Sequence, residues 1–316
     1  MDNNLQNTQL DDQKMENLRK RIKLSKYIMI AGGVCFGIIV LIFLASGETT
    51  LSTDRPEGVA VILFGLAGFA LLFAGIAFKQ KAGEAQKHIA NNYARSVLGR
   101  VMDRLDTFDH GKHVDKYYLN QDFGFPEYDC TGFCGDYVRG VLRGVPMEFC
   151  EFELQEEHVT EDSDGDTDVS YETVFYGVIV VCRHSLTLSD AVAATQFKTY
   201  ENAYKADSEA FYDTFSVRCT SEQDAALALT PDYRQKLLEL SAERGNRFAV
   251  RFLQDGTLLL VIKDMNLFEM GNSENTVQLV EKLEKETEDF INILDTLALP
   301  AQKVTDYPNA ERSELR

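Results

Sequence analysis

Two histidines three positions apart, His110 and His113, are followed by two cysteines four apart, Cys130 and Cys134. Imidazole and thiolate pairs at short spacing are what tetrahedral zinc needs. Gly111, Gly132 and Gly135 give the backbone freedom to turn, so each pair could chelate from a loop. The order departs from the usual one, which places cysteines first and spaces the histidines more widely. A plainer account competes with it: two surface histidines after a helix and two small residues in a loop. His110, His113, Cys130 and Cys134 stand as the candidate metal site, with zinc as the one cofactor the residues suggest. Nothing marks either cysteine of the pair as a low-pKa thiol for redox sensing.

Other residue clusters carry less. Asp162, Asp164, Asp166 and Asp168 alternate around Gly165. An EF-hand loop needs its Gly at the sixth position and a Glu at the twelfth, and this run has neither in frame, so it reads as a solvated hairpin tip. Glu148, Glu151, Glu153, Glu156 and Glu157 could pair for general acid–base work. No partner motif accompanies them, and a solvent-facing strand explains them better. Phosphate-cradling loops, a Gly-x-Ser-x-Gly elbow and His-Glu-x-x-His are absent from the sequence. Cys150, Cys182 and Cys219 lie in apolar strands and read as core.

The elements that would hold these residues are set by an uneven distribution of apolarity and charge. Of 316 residues, 45% are apolar and the net charge is −18. Residues 1–81 hold nine basic and seven acidic side chains, which leaves the other 235 residues with a charge of −20. Such a surface repels phosphate backbones and excludes nucleic acid as a partner, while suiting a basic protein.

Residues 27–46 and 58–78 are uncharged runs of 20 and 21 residues. Each matches the roughly 20 helical residues that cross a bilayer. Lys14, Arg19, Lys20, Arg21, Lys23 and Lys26 precede the first run, and Lys79, Lys81 and Lys87 follow the second. The positive-inside rule then places both termini in the cytoplasm of a two-span inner-membrane protein. Gly33 and Gly37, with Ala70 and Ala74, are small-residue pairs that could pack the spans on each other or form a homodimer through them.

The expected organisation is a leader (1–26), a two-span hairpin in the lipid bilayer (27–78), a juxtamembrane helix (79–108), an α+β cytoplasmic domain (109–299) and a disordered tail (300–316). Ile89, Tyr93, Val97 and Val101 recur at helical spacing over residues 82–105. Strands are read at 137–142, 147–154, 174–182 and 211–218, with 158–170 as a polar tip between the second and third. Ser221 with Asp224, and Thr230 before Pro231, mark two helix starts, and Gly245 marks a helix end. Asp255-Gly256 between two alternating runs signals a hairpin. Leu283, Phe290, Leu294 and Leu297 lie on one side of a closing helix that Pro300 stops. The fold class is α+β: a transmembrane helical hairpin followed by antiparallel strands with packed helices.

Several of these pieces carry a resemblance. GDYVRGVLRGVPMEFCEFEL (135–154), ETVFYGVIVV (172–181), EAFYDTFSVRCTSEQDAALALTPDYRQKLLEL (209–240) and FAVRFLQDGTLLLVI (248–262) resemble a bacterial family, domain of unknown function 3137. The resemblance covers roughly residues 80–300 and implies a membrane-anchored bacterial protein. It implies no reaction, and its motifs are structural. The expected function is a membrane-tethered interaction or regulatory domain without catalytic activity. The rival is a zinc-binding or metal-dependent enzyme domain at the inner membrane face.

Overall fold

The structure is a computed structural model, and it describes residues 16–17, 20–38, 56–132, 135–161, 167–201, 203–205, 210–245, 247–267 and 276–303. The chain forms two compact units, Met1–Tyr93 with Ser273–Gln278, and Ala94–Asn272 with Leu279–Arg316.

In the first unit, helix α1 (residues 20–38) packs on the helix α2, Pro56–Val101. Glycines set the approach. A Cβ on Gly32 would meet the Gly68 carbonyl oxygen and the Leu72 side chain, each at 2.9 Å, and one on Gly75 would meet Met29 at 2.5 Å. Met29 meets Gly75 and Gly32 meets Gly68, so the two helices run antiparallel. Gly33 and Gly37 have nothing within 4 Å, and Ala70 and Ala74 are exposed. The pair therefore does not pack through the small-residue pairs marked in the sequence. Ser25 is buried at the contact and turns its hydroxyl back to the Ile22 carbonyl at 2.7 Å, which removes the cost of burying it.

The transmembrane expectation is corrected here. Among the described residues no helix is long and apolar enough to cross a membrane. This overturns the two-span transmembrane hairpin and the inner-membrane placement with cytoplasmic termini. Residues 39–55, with the end of the first run and most of the linker, lie outside the described residues, as do residues 1–15 of the leader and 304–316 of the tail.

The second unit is α+β, as the alternation of the later sequence predicts. Its strands are β1 (Arg104–Asp109), β2 (Cys130–Gly132), β3 (Tyr137–Leu142), β4 (Val145–Glu161), β5 (Thr167–Arg183), β6 (Val192–Thr195), β7 (Ser216–Arg218), β8 (Phe248–Phe252) and β9 (Thr257–Lys263). They form one nine-stranded sheet in the order β1-β3-β4-β5-β9-β8-β6-β7, with β2 paired to β4 off that path. Every pairing is antiparallel. The turns carry the residues they require. Arg143 and Gly144 both have positive φ, at 49° and 78°, in the two-residue β3–β4 turn. Gly256 (φ 80°) closes the β8–β9 hairpin.

The period of two along each strand sorts the core into two faces. One face buries Cys150, Phe152, Leu154, Phe175, Ile179, Val181, Leu259 and Val261. It is covered by Val114, by Leu119 of the short helix α3 (Lys116–Leu119) and by Phe123. Phe125 bridges Phe152 and Phe175 there, with ring centroids 5.8 and 4.8 Å away. The other face buries Phe149, Val180, Phe248, Val250, Phe252 and Leu260. Phe290 of the closing helix meets Phe149 at 4.9 Å.

Four helices complete the unit: α4 (Ala210–Thr214), α5 (Glu222–Ala228), α6 (Pro231–Arg244) and α7 (Thr276–Leu297). Thr230 caps α6 by accepting from the Tyr233 amide, and Gly245 ends it at φ 67°. Two local expectations shift. The helix read over 82–105 is the last part of α2, which stops at Val101 and gives way to β1. Residues 211–218 split into α4 and β7.

Candidate functional site

The pairing of β1 with β3 decides where His110 goes. Asp109 lies opposite Tyr137, so the next residue out on each chain, His110 and Asp136, meet just beyond the ladder. His110 Nδ1 is paired with Asp136 Oδ1. The Asp136 side chain is only 7% exposed, whereas that of His110 is 49% exposed. Burial pushes the Asp136 carboxyl up to about 6, with the His110 charge pulling the other way and losing.

A second buried carboxylate stands next to it. Tyr137 pairs with Cys150, which puts Asp136 beside Glu151 of β4. Glu151 is buried, and a Cβ on Gly135 would overlap its carboxylate. The Leu267 amide donates to Glu151 Oε1. The solvent-facing assignment of Glu151 is thus wrong for this residue, while Glu156 and Glu157 are exposed as expected. Neither Asp136 nor Glu151 is legible as a pair in the sequence, because only the β3–β4 register brings them together.

The other candidate metal ligands go elsewhere. His113 has Nδ1 2.7 Å from its neighbour's carbonyl, Val114 O. Cys130 begins β2 and directs Sγ toward Gln155, 3.9 Å from its carbonyl oxygen and 3.6 Å from Oε1. Cys134 lies outside the described residues. Among the described residues no three His, Cys, Asp or Glu side chains form a group that could hold a metal ion. His110 is brought to Asp136, and the predicted set does not assemble from its described members.

His184 is a buried histidine that the sequence did not single out. Its Nε2 lies 3.0 Å from the Leu253 carbonyl, and its Nδ1 accepts from the Leu186 amide at 3.2 Å. One nitrogen donates and the other accepts, so the neutral ring is satisfied on both sides. Burial accordingly lowers its pKa from the ordinary histidine value.

A cleft of about 430 Å³ lies between the end of α2, the β3–β4 turn and α7. Its two arginines are already engaged: Arg100 with Glu284 at 2.7 Å, and Arg143 with Asp295.

The most distinctive surface is the outer half of the β4–β5 hairpin. The polar tip expected over 158–170 is largely strand. β4 runs to Glu161 and β5 starts at Thr167, with Gln155 opposite Thr173 and Glu161 opposite Thr167. A bulge between Leu154 and Gln155 marks the base of this ribbon. From Glu156 to Glu161 and from Thr167 to Thr173 every residue is exposed. Val159 and Val169 sit directly across from each other, at 58% and 44% exposure, with Tyr171 beside them at 54%. Residues 155–173 contain eight Asp and Glu and no Lys or Arg. Apolar and acidic groups are therefore displayed together on two strands, with no layer behind them among the described residues.

Comparison with known proteins finds one match, to part of the chain. Residues 168–299 match the family model described as a protein of unknown function, DUF3137. The match runs from the outer end of β5 to the end of α7, and so takes in the β5–β9–β8–β6–β7 half of the sheet and helices α4 to α7. It lies inside the stretch over which the sequence resembles that family. No curated protein and no solved structure matches the chain.

Proposed function

We propose that this chain is an interaction or regulatory module that engages a basic protein partner through the β4–β5 ribbon. The observation that carries this is the ribbon itself: exposed Val159, Val169 and Tyr171 in a segment with eight Asp and Glu and no Lys or Arg. A two-stranded ribbon has little stability of its own in water, and side chains exposed along it are not there to build a core. Tyrosine is enriched at protein interfaces, where its ring supplies area and its hydroxyl a polar contact. A field of one sign steers a partner of the opposite sign and rejects like-charged ones. The net charge of −18 extends that field over the chain.

A photo-crosslinking residue placed at Tyr171 in the full chain tests the proposal. The expected product is a complex with a basic protein, weakened as salt rises because surface charges are screened beyond roughly 10 Å at 0.1 M. Crosslinks to proteins without basic character, unaffected by salt, would sink it.

A further inference from the structure

Resting on the interaction reading above, we infer that the partner docks by adding a strand to the outer edge of β5, as an extended segment that alternates basic and apolar side chains. On one side β5 is paired to β4 along almost its whole length, from Arg183's neighbour Cys182 to Thr167. On the other side β9 covers only Gly177 to Arg183. The Asp264 amide then donates to the Tyr176 carbonyl at 3.1 Å, which ends the shared stretch. From residue 175 outward to 167, no described strand lies along this edge. Its backbone donors and acceptors form a template for another strand.

Natural edges are blunted by lysines, prolines, short length or inward charges. Residues 167–175 contain no lysine and no proline. The charges along it are Asp168 and Glu172, both acidic. A second copy of this chain would set those carboxylates against their own kind, so the edge discriminates against self-pairing and admits a cationic strand. The alternation of β5 then dictates the order of the partner's side chains. Val169 and Tyr171 point to one face, where Val159 also lies. Asp168, Ser170 and Glu172 point to the other, where Glu156 lies opposite Glu172. An added strand would lay apolar side chains beside Val169 and Tyr171, and basic ones beside Asp168 and Glu172. Backbone hydrogen bonds supply affinity in this mode and the alternating side chains supply selectivity.

The test measures binding of the full chain to a fluorescent octapeptide of alternating lysine and valine. Two N-methylated forms are compared with it, each methylated at one of the two alternating sets of residues. In an added strand only one set turns its N–H toward the edge, so one form is expected to bind about tenfold or more weakly and the other about as the parent does. A block peptide of the same composition, lysines first and valines after, is expected to bind about tenfold more weakly despite its equal charge. The double variant Asp168→Lys with Glu172→Lys changes two exposed side chains and is expected to abolish binding. Equal binding of the parent, both N-methylated forms and the block peptide would overturn strand addition and leave a basic partner held by charge alone. Full binding by the double-lysine variant would overturn both the edge and the ribbon as the docking element.

Discussion

The inner and outer halves of the β4–β5 hairpin share one antiparallel register but differ in everything that packs against them. Inside, residues 147–150 of β4 lie between β3 and β5, residues 153 and 154 lie between β2 and β5, and residues 177–182 of β5 lie between β4 and β9. Phe149, Cys150, Phe152, Leu154, Val178, Ile179 and Val180 are buried there. Outside, the same two strands continue without flanking layers among the described residues, and the burial ends within a few residues of the bulge at Leu154 and Gln155. A strand is a geometry that any pair of chains can continue, whereas a core requires neighbours on both faces. The inner half is thus constrained by folding, and the outer half is free to be shaped by what it meets.

The largest expected effect breaks the inner half. Phe152 has no exposed surface and stacks on Phe175 at 5.6 Å. Phe152→Ala should cost about 3–5 kcal/mol, through lost burial and the cavity left behind, read as a fall in the urea midpoint. Next comes the joint between the halves. A Cβ on Gly177 would meet the Ile262 carbonyl oxygen at 2.2 Å, and that oxygen belongs to the β9 backbone and cannot swing away. Gly177→Ala should cost about 1–3 kcal/mol by overpacking. Its effect should appear as a parallel shift of the unfolding curve, since β9 is part of the same sheet.

How legible the two halves are in the sequence follows from the same difference. Phe248, Val250 and Phe252, like Leu258, Leu260 and Ile262, are legible because β8 and β9 are apolar strands buried on both faces, and the strands over 147–154 and 174–182 announce themselves by the same apolar density. Thr230 and Gly245 were readable because capping needs only local residues. The ribbon hides because Glu157 and Glu161 share the face of Val159, Val169 and Tyr171 and leave its hydrophobic period too sparse to read, even though the backbone ladder continues to Glu161. β1 hides behind the helical spacing of Val97 and Val101, which ends only three residues before Arg104. In the candidate site His110 was visible by residue type, but its partner was not. Asp136 and Glu151 are each buried, and only the register of β3 on β4 brings their backbone positions near each other, a non-local fact. Asp224 shows the same limit. It is positioned by Ser221 as expected, but its carboxylate turns away to the Ser189 hydroxyl at 2.5 Å and to the Ser189 and Asp190 amides, each at 3.0 Å.

A smaller effect concerns a buried carboxylate beside the inner half. Asp136 sits by the inner half with its carboxyl raised from 3.8 to about 6 by burial. Below pH 4 it is protonated whether the chain is folded or not. Between about pH 4 and 6 the unfolded chain releases the proton first, so stability falls as pH rises, and above 6 the whole cost is in place. Asp136→Asn should therefore gain about 1–2 kcal/mol at pH 8 and flatten that slope. His184 works in the opposite sense. Its pKa is lowered on folding, so its contribution is present above the ordinary histidine range and is lost as pH falls below it. A slope that survives Asp136→Asn would place the titrating group elsewhere.

The smallest expected effect on stability is the most informative about function. Val159 and Val169 face each other across the ribbon and are both exposed. A cross-strand pair contributes roughly 0.2–1 kcal/mol relative to alanines, and nothing is buried behind this one. Val159→Ala with Val169→Ala should thus change global stability by less than about 1 kcal/mol in urea unfolding. The same double variant should weaken binding of the alternating lysine–valine peptide, because it removes the apolar positions beside which the valines would lie. A large loss of stability would mean that the outer half belongs to the folding core after all, and the division of the hairpin would fail. Unchanged stability with unchanged binding would leave the carboxylates as the sole attraction and remove the apolar half of the recognition pattern.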